Sequence, residues 1–166
     1  MKRLFTLFLA TVLLLSASSC GIKRKIEDKI GEAVGEKMIE KMTGQEVDVD
    51  GDEITVKGED GTEITFGSNE WPDNELMNEI PKFNEGSIVE ATKSDALNVI
   101  LINDVKQKDF ENYRDKIKEK FTVDPVDISL DNVITFGGSN EKGIYVQVSY
   151  SIDDSTFTLS VSKNEE

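Results

Sequence analysis

The chain of 166 residues contains one thiol, Cys20, and no histidine. Together these limit the available chemistry. Without imidazole there is no Ser-His or Cys-His nucleophile, no imidazole general base and no His-ligated zinc. Cys20 follows a charged start (Lys2, Arg3), an apolar run from Leu4 to Leu15 and the small residues Ser16-Ala17-Ser18-Ser19. That order is the layout of a secretory signal, and the run is shorter than the roughly 20 residues of a membrane-spanning helix. The chemistry expected of this sulfur is acylation. Residues 1–19 would be removed, and Cys20 would begin the mature chain carrying palmitate-type chains. Two such chains give stable anchoring at about 0.8 kcal/mol per buried CH₂. An ordinary signal cut after small residues, or an uncleaved anchor, would use the same stretch without the sulfur. An intramolecular disulfide is impossible with one cysteine.

Carboxylates offer the next chemistry. Asp48-x-Asp50-x-Asp52 with Glu59 places acids at positions 1, 3, 5 and 12 of a calcium loop, but position 6 is Glu53 where such loops need glycine. The alternating valines fit outward-facing acids on a strand equally well, so no metal site is expected, and calcium at Asp48, Asp50 and Asp52 is the alternative. An acid pair for glycoside hydrolysis is conceivable among so many carboxylates, with separations of roughly 5 to 9.5 Å. Every acid, however, has a turn or surface role, so no enzyme and no catalytic residue is expected. No cofactor is implied.

Three stretches have the residue types for binding. Gly137-Gly138-Ser139-Asn140-Glu141-Lys142-Gly143 could form a backbone anion nest, or simply a flexible hairpin end; it lacks the strand-to-helix setting of a phosphate loop. Tyr145, Ser149, Ser151, Thr158 and Ser160 would share one sheet face, open to glycan or merely solvated. Trp71 and Phe83 could form a recognition surface, or pin an extended connection to the sheet.

Composition bounds the partners. The formal charge is −14, and becomes −16 without Lys2 and Arg3. Residues 22–43 carry six basic and five acidic side chains, residues 44–90 two and fourteen, and residues 91–166 nine and fourteen. So acidic a body is unsuited to nucleic acid. Lys23-Arg24-Lys25 lies beside Cys20, where it can meet anionic headgroups. An acidic body instead suits a basic protein or a wall-layer partner, with attraction that weakens as salt rises. The 147 residues left after position 19 can bury an adequate core without staples.

The elements that must position these residues follow from periodicity. Over 20–43, Ile22, Ile26, Ile30, Val34, Met38 and Met42 recur every fourth residue, which predicts a charged amphipathic helix ending at Thr43-Gly44. It is a stalk or a helix lying on the membrane. Over 44–67, Val47 and Val49, Ile54 and Val56, and Ile64 and Phe66 alternate with polar residues. Asp50-Gly51 and Asp60-Gly61 supply hairpin turns, so a three-stranded β-meander is expected. Residues 68–85, with Trp71, Pro72, Pro81 and Phe83, read as a linker with one helical turn near Glu75–Ile80.

Residues 86–166 read as an α+β domain in the order ββαβββ. Strands are expected at Ser87–Thr92 and Ala96–Asn103, the second buried on both faces. A helix carries Phe110, Tyr113, Ile117 and Phe121 on one stripe, opposite Lys108, Glu111, Arg114, Asp115, Lys118 and Glu119. Val126–Phe136 is extended with a break at Asp131-Asn132. Ile144–Tyr150 and Phe157–Val161 alternate cleanly, with Asp153-Asp154-Ser155 between them. The expected architecture is two-layered: a mostly antiparallel sheet with one covering helix.

These motifs bear a family resemblance. Ser16-Ala17-Ser18-Ser19-Cys20 resembles the lipobox of bacterial lipoproteins, with Ala17 where Leu is usual. The mature chain as a whole resembles small lipoproteins of Gram-positive, clostridium-like bacteria that carry a domain of uncharacterised function. The likeness runs through Gly44-Gln45-Glu46-Val47-Asp48-Val49, Ile54-Thr55-Val56-Lys57, Glu70-Trp71-Pro72, Ile80-Pro81-Lys82-Phe83 and Lys108-Asp109-Phe110-Glu111-Asn112-Tyr113. It implies a lipid-anchored protein on the outer side of the cell membrane, and it carries over no catalytic residue. The expected function is therefore a non-enzymatic interaction module; the alternative is a sensory lipoprotein holding a small ligand between the sheet and the Trp71 stretch.

Overall fold

A computed structural model describes residues 45–58 and 61–163. The signal segment 1–19 and the helix expected over 20–43 lie outside the described residues. The chain divides between Asp50 and Gly51 into two compact units. In the first, the described residues form strand β1 (Glu46–Asp50), in which Val47 is buried.

The second unit is α+β: a mostly antiparallel sheet with one helix. Its strands are β2 (Glu53–Lys57), β3 (Glu63–Ser68), β4 (Ser87–Lys93), β5 (Leu97–Asn103), β6 (Val123–Ser129), β7 (Val133–Ser139), β8 (Ile144–Ser151) and β9 (Thr156–Lys163). Helix α1 (Gln107–Lys118) lies between β5 and β6 in the chain. The strand order across this sheet is β2-β3-β4-β5-β9-β8-β7-β6, every pair antiparallel. The chain leaves the sheet at β5, crosses it with α1, re-enters at the far edge as β6, and works back until β9 docks beside β5.

Four strands follow the helix rather than three. The stretch read as one broken strand at Asp131-Asn132 is the hairpin β6–β7, closed where Leu130 N–H donates to Val133 O at 2.8 Å. The turn contains no glycine, which is why its residue types announce it so weakly.

One face of the sheet forms the core. Ala91, Ile100, Ile102, Ile134, Phe136, Val146, Val148, Tyr150, Phe157, Leu159 and Val161 are all buried there. They are covered by Phe110, Tyr113 and Ile117 of α1, by Phe121 after it, and by Leu76, Met77, Ile80 and Phe83. The last four belong to the proline-containing stretch 68–85, whose only regular structure beyond the end of β3 at Ser68 is a 3-10 turn at Met77–Glu79. This stretch is therefore part of the core lid. Its irregular backbone is held by side-chain amides: Asn74 donates to Asn98 Oδ1 at 2.9 Å and to Ser94 O at 3.2 Å, and accepts from Met77 N–H at 3.1 Å. Asn98 has no exposed surface, so these bonds satisfy a polar group that would otherwise be costly to bury. Lys142 adds an exposed two-pronged bond to Glu79, at 2.8 and 2.9 Å.

Strand β5 has one buried face, not two. Asn98, Ile100 and Ile102 point into the core, whereas Leu97, Val99 and Leu101 on the other side are only half-buried. The β2–β3 hairpin is turned the same way. Thr65 pairs with Lys93 and Ser68 with Ala91, so both lie on the core side, and Thr65 bonds Thr55 across the strands at 2.9 Å. The apolar set Ile54, Val56, Ile64 and Phe66 consequently occupies the opposite face, half-buried.

Candidate functional site

Alternation along β8 and β9 builds the face away from α1. With Ile144, Val146, Val148 and Tyr150 inward, Tyr145, Gln147, Ser149 and Ser151 must point out, opposite Ser162, Ser160, Thr158 and Thr156. The result is a broad hydroxyl- and amide-bearing strip, flanked on the β5 side by Leu97, Val99 and Leu101.

The side chains of this strip are already engaged with one another. Ser149 and Thr135 share a hydrogen bond of 2.9 Å, and Ser151 donates to Asp154 Oδ2 at 2.8 Å. Tyr145 lies across Gly137: a Cβ built at Gly137 would fall 2.4 Å from the tyrosine hydroxyl. An aromatic ring covering a strand glycine on the neighbouring strand shields bare backbone and pins the register. Trp71 and Phe83 are on the other side of the sheet. Phe83 is buried with its ring edge-on to Tyr113 (5.1 Å) and Phe157 (5.0 Å), and Trp71 is half-buried against the same core. The fold thus brings Tyr145, Ser149 and Ser151 together on one strand and sets Trp71 and Phe83 behind them.

The glycine-rich stretch is shorter as a loop than its residue types imply. Gly137 and Gly138 lie within β7, and a Cβ at Gly138 would meet the backbone oxygen of Phe121 at 2.7 Å. Only Asn140–Gly143 turns, with Asn140 Oδ1 accepting from the N–H groups of Lys142 and Ile144, both at 3.0 Å. Those donors face a side-chain amide of their own turn. Asp48 and Asp50 fall in β1 and Asp52 in the turn before β2, all exposed, while Glu59 lies outside the described residues. Among the described residues no group of three or more Cys, Asp or Glu side chains is placed to hold a metal ion. Nor, among them, is any helix long and apolar enough to cross a membrane.

No family model, curated protein or solved structure matches this chain.

Two features of the α1 side of the sheet are not evident from residue types alone. The first is a charged clamp at the sheet edge. Asp127 of β6 pairs with Lys118 and, at 3.9 Å, with Arg114; Arg114 also lies 3.6 Å from Asp115. Lys118 Nζ in addition sits 5.7 Å from the centre of the Phe136 ring. The clamp holds a strand whose seven residues are all exposed. No sequence spacing links position 127 to 114 and 118, because the crossover brings them together.

The second is Tyr113. Its hydroxyl donates to Pro81 O at 2.8 Å, tying α1 to the lid segment, and burial pushes its ionisation well above the usual phenol range. The folded chain keeps a proton that the unfolded chain releases near pH 10, about the ordinary tyrosine value. The stability this represents is fully present below about pH 10 and is lost as pH rises toward the folded value. Thermal melts across rising pH should show the melting temperature falling more steeply above about pH 10 in the wild type than in Tyr113→Phe. That variant starts about 1 kcal/mol less stable, since the Pro81 carbonyl loses its donor. Parallel curves for the two proteins would remove Tyr113 as the cause.

Proposed function

We propose that this chain is a membrane-anchored extracytoplasmic lipoprotein whose folded part is a non-enzymatic interaction module. The observation that carries the reading is the sole cysteine, Cys20, placed directly after an apolar run and four small residues. The resemblance of that stretch to a lipobox, and of the mature chain to small lipoproteins of Gram-positive, clostridium-like bacteria, supports it. The acidic composition supports a basic protein or wall-layer partner, and Lys23-Arg24-Lys25 would sit at the headgroups.

The alternative, a small ligand held between the sheet and the Trp71 stretch, has less support. Leu76, Met77, Ile80 and Phe83 fill the space such a ligand would need.

The test is crosslinking on intact cells, comparing the native chain with Cys20→Ala and identifying what is captured, alongside fractionation and mass analysis of the mature N-terminus. The reading expects a diacylated Cys20, release of the alanine variant from the membrane, and one defined neighbour captured only with the anchor present. A mature chain without acylation would dismiss the anchor. Anchored protein that crosslinks to no defined neighbour would dismiss the interaction module.

A further inference from the structure

Among the described residues five large apolar side chains stand exposed, and four of them follow a single edge. Val123 (42%), Val126 (53%) and Ile128 (47%) lie in β6, and Leu130 (65%) comes just after it. Exposed apolar residues scattered singly are ordinary, whereas a contiguous row marks a surface that something covers.

Among the described residues β6 is the terminal strand of the sheet and pairs with β7 alone. The ladder determines which of its backbone groups remain available. Leu130 and Val133 form a hydrogen-bonded pair, and in an antiparallel ladder bonded and non-bonded pairs alternate. Ile128 opposite Thr135 and Val126 opposite Gly137 are thus also bonded pairs. The N–H and C=O groups of Asp127 and Ser129 must then point away from β7, toward the free edge.

The side chains separate by the same alternation. Val126 and Ile128 share the face of Thr135 and Ser149, while Asp127 turns to α1 and its two cations. Sheet edges are usually blunted by proline, bulges or outward charges. Here the first part of β6 is blunted: Pro125 has no N–H to offer, and Asp124 sits at a positive φ of 47° where the register shifts. From Val126 to Leu130 there is neither proline nor bulge, and the one charge is committed to α1.

Charge then selects the occupant. Exposed acids flank the unblunted part, Val126 to Leu130: Asp124 lies before it and Asp131 after it. Ile152 N–H donates to Asn132 O at 2.9 Å, so the turn bearing Asp153 and Asp154 joins Asp131 at that end. An apolar centre between two acidic ends complements an extended peptide that is apolar on alternate residues and basic at both ends.

We propose that β6 is a strand-addition site, at which such a segment of a partner protein pairs with the backbone of Asp127 and Ser129 beside Val126, Ile128 and Leu130. The proposal rests on the interaction-module reading and names the chemistry of its partner.

The probe is a blocked peptide alternating valine and threonine with a lysine at each end, set against the same peptide ended by glutamates. Amide hydrogen exchange is followed residue by residue on the full chain in mild detergent. The expected result is fast exchange at Asp127 and Ser129 in the free chain, slowed by the lysine-ended peptide and not by its glutamate counterpart. Ser129→Pro removes one outward donor and no ladder bond, so it should weaken binding by about tenfold or more with the melting temperature kept. Should that variant unfold, Ile128→Lys tests the apolar row in its place and should weaken binding similarly. Equal binding of both peptides, or binding unchanged in a folded variant, overturns the proposal. So does protection of the same two amides that grows with protein concentration alone, because a second copy would then occupy the edge. If crosslinking on cells captures a defined neighbour equally with wild type and Ser129→Pro, the module reading survives and this edge is not its site.

Discussion

Replacing Phe157 by alanine should destabilise the folded domain by roughly 4 kcal/mol, the middle of the range for removing a buried phenylalanine. Phe157 is fully buried in β9, and its ring meets Phe83 at 5.0 Å, Phe110 at 5.3 Å and Tyr113 at 5.6 Å, each near edge-on. No other ring makes as many of these contacts among the described residues. It therefore joins the three parts of the core: the sheet, α1 and the lid segment. Domains of this size hold roughly 5 to 15 kcal/mol in total, so one truncation consumes a large share. Phe157→Leu keeps most of the volume and should cost about 1.5 kcal/mol or less. Urea unfolding followed by tryptophan fluorescence measures both. A loss under about 1 kcal/mol for the alanine variant would mean the lid segment carries little of the packing assigned to it.

Gly67→Ala should cost roughly 3 kcal/mol or more, combining a strained backbone with a direct clash. Gly67 has a φ of +82°, at the bulge where β3 changes register against β4, and a Cβ there would fall 2.2 Å from the backbone oxygen of Asp52. Gly61 makes the comparison clean, with a φ of +84° and nothing within 4 Å of its hypothetical Cβ. Gly61→Ala should cost only the conformational part, about 1 to 2 kcal/mol. The difference between the two variants in equilibrium unfolding isolates the close approach of backbone to backbone. Equal losses would show that Asp52 moves aside without cost.

How much of this was legible depended on whether the governing contact was local. β8 and β9 alternate without interruption, and strand period alone separates their inward from their outward residues. The stripe Phe110, Tyr113, Ile117 and Phe121 was visible for the same reason, and all four are buried. By contrast, Leu76, Met77, Ile80 and Phe83 lie in irregular backbone, where apolar residues have no period to reveal a common face. Asn98 in the centre of β5 looks misplaced until Asn74, far away in sequence, supplies its bonds. The hairpin shows only that Thr65 alternates with Ile64 and Phe66; the pairing with β4, which the hairpin does not encode, turns Thr65 toward the core. The apolar row on β6 was hidden in a similar way. Val126–Phe136 reads only as an extended stretch until the strand order sets Val126 and Ile128 on an edge strand. Of the candidate contact residues, the proximity of Tyr145, Ser149 and Ser151 was legible from one strand, whereas the placement of Trp71 and Phe83 behind the sheet needed the whole topology.

The position of β9 has a consequence for how the molecule comes into being. β9 is late in the chain yet central in the sheet, inserted between β5 and β8 with Leu97 opposite Ser162 and Ile102 opposite Phe157. Until it is present, β2 to β5 and β6 to β8 are separate fragments, each with an unpaired edge at the future seam. Pairings this distant in sequence are slow to form, because loop closure precedes any reward. A chain emerging N-terminus first from a ribosome can close this sheet only after Thr156–Lys163 has emerged. Such an order of events postpones the stability of the whole sheet to the docking of a single strand.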